Sequence, residues 1–127
     1  MNTQEAFDLV LAHLWDQNAV SFDTDICRYH DDVTGNKCAI GCIIPLEAYD
    51  SDMEGLLVSQ LLYRYPDLLN LPAFKALNVG HQYPLFVALQ ELHDSLVDTQ
   101  PEDFQDALRT GARDLAQTYD LNLNLPE

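Results

Sequence analysis

Apolar positions along this chain recur mostly at helical spacing. Ala6, Phe7, Val10, Leu11 and Leu14 share one side of a period of about 3.6 residues, and Asn2 with Glu5 has the form of a capping box, so a first helix is predicted over 3–18. Ser51 and Glu54 repeat that signature before Leu57, Val58, Leu61 and Leu62, and Tyr65-Pro66 stops the run, which predicts a second helix over 52–64. A short helix is expected over 72–78, closed by Gly80, and a longer one opens at Pro84 with the stripe Leu85, Phe86, Leu89, Leu92 and Leu96. The last opens at Pro101 and carries Phe104, Leu108, Ala112, Leu115 and Tyr119. The tail LNLNLPE alternates apolar and polar residues, and either lies on the bundle or frays.

Residues 21–45 break the pattern. Ile26, Tyr29 and Val33 are strand formers, Thr34-Gly35-Asn36 is turn chemistry, and 38–44 is small and apolar. The expected fold is therefore mainly α, a single compact domain of about five helices with a small β-hairpin or ordered loop at residues 21–45. At 127 residues the chain can close one core without a covalent staple.

Charge narrows the partners. Twenty-one acidic and six basic residues give a net charge of -15, and the acids are spread through the chain rather than gathered in a tail. Such a field repels phosphate backbones, which makes direct nucleic-acid binding an unfavourable reading and a protein with a basic surface a favourable one. The bland alternative is a solvated, soluble surface. The acids singled out for contact are Asp31 and Asp32, at an expected loop tip, with Asp94, Asp98, Asp103 and Asp106, which the short link between the last two helices should gather at one end. No basic leader and no apolar run of about 20 residues is present, so a cytoplasmic location with no membrane is expected.

The chemistry-bearing residues concentrate in the irregular segment. Cys27-x2-His30-x7-Cys38-x3-Cys42 supplies four ligands of the kinds a structural zinc takes, in loose spacing, whereas the competing reading makes Cys38 and Cys42 buried small hydrophobes. A third reading is catalytic. Lys37 precedes Cys38, and His93 falls on the core-facing stripe of its helix, so the pair could be nucleophile and base of a small hydrolase. Asp94 leaves the helix about 100° away from His93, which argues against its orienting that ring. The His-Asp dipeptides at 30–31 and 93–94 are too short a match for a metal-dependent phosphohydrolase.

Cys27-x-Tyr29, Gly35-x-Lys37-Cys38-Ala39-x-Gly41-x-x-Ile44-Pro45, Tyr49-Asp50, Met53-Glu54-Gly55 and Leu89-Gln90-x-x-His93-Asp94 resemble the pattern of a family of small uncharacterised proteins of bacteria and their phages. The resemblance spans about residues 5–120. It implies a shared site of Cys27, Cys38, His93 and Asp94 rather than the four-ligand zinc set, the position of Cys42 being variable in that pattern. The apolar segment and the core-facing stripe of His93 separately predict a structural core of Cys27, Tyr29, Cys38, Cys42 and His93. Leu46 stands where that family commonly has an aspartate, which tilts the expectation from enzyme toward inhibitor. The function so expected is an acidic protein-interaction module of phage type, blocking a host or rival nucleic-acid-handling protein. The alternatives are a cysteine- or metal-dependent hydrolase centred on Cys38 and His93, and a fold whose cysteines only pack.

Overall fold

The computed structural model describes residues 2–23 and 26–126. Among these, five α-helices form, α1 (Asn2–Gln17), α2 (Val58–Arg64), α3 (Pro72–Ala76), α4 (Tyr83–Ser95) and α5 (Phe104–Tyr119), with one two-stranded antiparallel ribbon of β1 (Phe22–Asp23) and β2 (Ile26–Cys27). The mainly α expectation holds. Helix α4 is central, packing against α1, α2 and α5, and its Phe86 and Leu89 meet a core that includes Phe7, Leu11 and Leu14 of α1 and Leu108 of α5, all fully buried. The side chain of Asn2, the expected cap of α1, lies outside the described residues.

The second helix begins later than its sequence signature suggests. Ser51–Met53 is a single 3-10 turn, capped by the Asp50 carboxylate accepting from the Asp52 amide, and Gly55 then takes a φ of 82° that no right-handed helix contains. Helix α2 starts at Val58, where Gln60 Oε1 accepts from the Leu57 N–H at 2.9 Å. The Glu54 carboxylate is spent elsewhere. It accepts from the backbone N–H of Tyr29 at 2.7 Å and of His30 at 3.1 Å, accepts from the Tyr49 hydroxyl, and pairs with Arg28 Nε at 3.5 Å. One nearly buried acid thus fastens the irregular segment to the turn before α2, because unpaired donors there would lose their hydration for nothing. The third helix likewise ends at Ala76, two residues early, and Asn78 turns the chain with a φ of 55°.

The segment that breaks the helical pattern is an ordered loop behind a minimal hairpin. Phe22 pairs with Cys27 and Asp23 with Ile26, and the Arg28 N–H donating to Ser21 O at 2.8 Å continues the ribbon by one bond. Asp31 then organises a turn through Gly35, its carboxylate accepting from the Val33 N–H at 2.9 Å and its carbonyl from the Gly35 N–H at 2.7 Å. Gln17 closes the other side, receiving the Lys37 N–H and donating to the Lys37 carbonyl. The tail is also fixed: the Gln4 amide exchanges two 2.9 Å bonds with the backbone of Asn122, laying residues 122–124 along α1.

Gly41 marks the closest approach within this arrangement. A Cβ there would stand 1.9 Å from the carbonyl oxygen of Tyr29, a backbone atom that Glu54 prevents from retreating. The expected result for Gly41→Ala is a loss of about 3 kcal/mol or more, the range of strain that repacking cannot relieve. Denaturant unfolding of the two proteins measures it, and a variant within about 0.5 kcal/mol of the parent contradicts the packing described.

Candidate functional site

The site grows from α4. Phe86, Gln90, His93 and Asp94 follow one another at helical spacing, and the polar three of them meet the thiol that β2 delivers at Cys27. Cys27 Sγ accepts from Gln90 Nε2 at 3.1 Å and lies 4.0 Å from His93 Nδ1. Gln90 also donates to Asp94 Oδ1 at 3.0 Å, while its Oε1 receives the Ile40 N–H at 3.3 Å. Cys38 stands beside Cys27 with no exposure and receives the Gly41 N–H at 3.4 Å. Cys27, Cys38, His93 and Asp94 are therefore close together, with Tyr29 buried nearby.

His93 is fully buried, stacked on Phe22 with ring centroids 5.7 Å apart and planes 14° from parallel. Its tautomer follows from one directed bond. The backbone N–H of Ser21 donates to Nε2 at 2.9 Å, so Nε2 presents a lone pair and Nδ1 carries the proton, which it donates to Asp94 Oδ1 at 2.9 Å. Burial, the largest influence on the ring, opposes its charge, while Asp94 and then Cys27 favour it and on balance hold its pKa above the ordinary value. A second proton would have to sit on Nε2 facing the Ser21 N–H. The arrangement described here thus belongs to the neutral ring, and charging it requires the Ser21 contact to open.

This tautomer decides the chemistry. A general base for a thiol needs a free nitrogen lone pair toward sulfur, and the atom nearest Cys27 is Nδ1, which holds a proton. The Cys27 thiol is itself pushed well above its usual range, first by Cys38, then by burial, with His93 pulling the other way. A cation faces the same obstacle. Ligand atoms of Cys27, His93 and Asp94 lie within 4.8 Å of one another, but a metal on Nδ1 would move the proton to Nε2 and set two donors face to face. The donor set in this geometry does not fit a metal.

Several expectations need correcting. Cys27, His30, Cys38 and Cys42 do not assemble as a zinc set: the His30 ring packs on Tyr49 with centroids 5.4 Å apart, Cys42 donates its S–H to Ala39 O at 3.1 Å, and Cys38 is sealed inside. Cys38 cannot be an accessible nucleophile for the same reason; Cys27 is the thiol at a surface cleft. Asp94 does orient His93, because the 100° divergence of adjacent residues governs Cβ vectors and not the far end of a side chain that folds back along the helix. Asp31 is buried and builds its own turn, so only Asp32 of that pair offers a free surface. Asp98, Asp103 and Asp106 are exposed as expected, at the end where α4 hands over to α5.

Gln90 and Ser21 have no role in the sequence reading, and Glu54 has only that of a helix cap, although Gln90 and His93 share a helical face that periodicity makes visible. The cleft itself measures about 560 Å³. One wall is the α4 face of Tyr83, Val87, Glu91 and Asp94; Leu56, Leu57, Val58 and Ser59 form the other. Cys27, Tyr29 and Gln90 line it as well. No protein-family model matches the chain, and neither a curated protein nor a solved structure is significantly similar to it.

Two outcomes follow from these thiols. With iodoacetamide near neutral pH, Cys27 should be the first native cysteine modified, about tenfold or more slower than a free thiol, and Cys38 should react only on unfolding. A hyper-reactive cysteine found by peptide mapping contradicts this. Alkaline conditions supply the second. Burial pushes Cys42 from 9.0 to about 12, and burial with the Glu54 hydrogen bond pushes Tyr49 from 10.0 to about 12. Groups whose folded pKa is raised give stability that is complete below the unfolded value and is lost as pH climbs through the folded one, so the denaturation midpoint should hold to about pH 9 and fall steadily toward 12. A midpoint flat across that window contradicts it.

Proposed function

We propose that this chain is a non-enzymatic interaction module whose partner is a protein with a basic surface, acting in the manner of a phage-type inhibitor that covers the site of a host or rival nucleic-acid-handling protein. The observation that carries the reading is the disposition of charge. Asp98, Asp103 and Asp106 are exposed, and among the described residues their carboxylates engage no hydrogen bond or ion pair, in a chain with a net charge of -15. Acids that hold nothing together are free to meet a partner, and such a field accelerates encounter with a basic one. Against a hydrolase stands the protonated Nδ1 beside Cys27; moving the nucleophile there from Cys38 still leaves it without a base.

The experiment is charge reversal. Asp98→Lys, Asp103→Lys and Asp106→Lys together should cost about 1 to 2 kcal/mol of stability, chiefly from the first turn of α5, while removing the partner from a pull-down. The association rate of the unaltered protein should fall about tenfold between low and physiological salt as charges beyond about 8 Å become screened. Retention of the partner by the triple variant, with a rate indifferent to salt, overturns the reading.

A further inference from the structure

The cleft between α2 and α4 has an asymmetric lining. The wall at the start of α2 is apolar apart from the Ser59 hydroxyl, with Leu57 69% exposed at the rim, and the α4 wall runs from an aromatic ring at Tyr83 through Val87 to two acids, Glu91 and Asp94. These positions share one helix face over about 16 Å, at 1.5 Å per residue. None of the lining residues is basic, so two carboxylates three residues apart repel one another with no cation between them. Asp94 is also held in place. Gln90 Nε2 and His93 Nδ1 both donate to its Oδ1, and Oδ2 receives no donor among the described residues, which leaves a positioned acceptor beside an apolar trough.

We propose that this cleft is the anchor pocket for an arginine side chain of the partner: the aliphatic stem lies along Val87 and the α2 wall, the guanidinium meets Asp94 and Glu91, and an apolar residue next to it in the partner covers Leu57. The geometry suits arginine because its stem is apolar, its head stays charged, and its planar fork donates to carboxylates in pairs. Complementary charge and an apolar centre are what the anchor residues of protein interfaces use. The idea rests on the interaction reading above and gives it a second, central contact distinct from the acids of the α4–α5 end. Binding of a free side-chain mimic, however, needs no partner protein.

The test titrates the whole chain with N-acetyl-arginine methylamide, and in parallel with the citrulline analogue, which has the same shape and no charge, following backbone amide resonances. The arginine compound should shift the signals of Ser59, Val87, Glu91 and Asp94, with affinity falling about tenfold for citrulline and for Glu91→Gln, as removal of a partly desolvated charge pair predicts. Ser59→Trp, which fills the trough without altering a charge or a buried residue, should abolish the shifts while the melting temperature holds. Asp94→Asn, whose Oδ1 still accepts from Gln90 and His93, gives the same loss of affinity without opening the site. Equal response to arginine and citrulline, or shifts that spread over other acidic helices and persist in Ser59→Trp, overturns the proposal. Should that happen while partner association stays salt-dependent, the interaction reading stands and only the anchor falls.

Discussion

The hydrogen bond from the Ser21 amide to His93 Nε2 is the constraint on which this molecule's chemistry turns. It spans 72 positions of sequence and joins the one irregular segment to the central helix. A backbone amide is a donor under all conditions, so it fixes which ring nitrogen is an acceptor and, through that, where the proton sits. The Nδ1 proton then selects Asp94 as its partner, Asp94 in turn receives Gln90, and Gln90 reaches both Cys27 and the Ile40 amide. A cysteine, a histidine and a carboxylate in contact would suggest a nucleophile or a metal site by composition alone. Directionality separates the two cases from this one: Ser21 takes the lone pair of Nε2, Nδ1 gives its proton to Asp94, and Gln90 donates to both Asp94 and the sulfur, so no ring lone pair is left facing the thiol.

Much of the fold was legible because helical periodicity is a local property. Phe7, Leu11, Leu89 and Leu108 are buried where the spacing placed them. The start of the second helix was not legible, since Ser51 and Glu54 satisfy the capping pattern and only the tertiary demand of Tyr29, His30 and Tyr49 for a common acceptor pulls Glu54 away. The site was half legible. His93 on a core face could be recognised, and the resemblance brought Cys27, Cys38 and Asp94 to it, but the atom-level question of which His93 nitrogen is free is answered by a backbone amide, and sequence patterns carry no record of backbone amides. Asp31 shows the converse: an acid in a polar loop reads as surface until its own turn buries it.

The acids of this chain divide by what they touch. Glu54 and Asp31 hold loops together, and Asp94 holds a histidine and a glutamine, whereas Asp98, Asp103 and Asp106 hold nothing. Repulsion among so many negative groups weakens the compact state, and a surface that keeps them without pairing them carries that cost continuously. A cationic partner of the kind proposed would relieve it, and on that reading stability and association are linked through charge by acids that lie outside the core.

The reciprocal amide bonds between Gln4 and Asn122 have a topological meaning as well. They hold the first turn of α1 against the run that follows α5, and that run then continues along α1 past Asp8 to Arg109, the cation that lies over Trp15. The tail is a strap laid lengthwise over α1 and returned to α5, so a contact 118 positions apart in sequence makes the fraying of either helix cost the anchorage of the other.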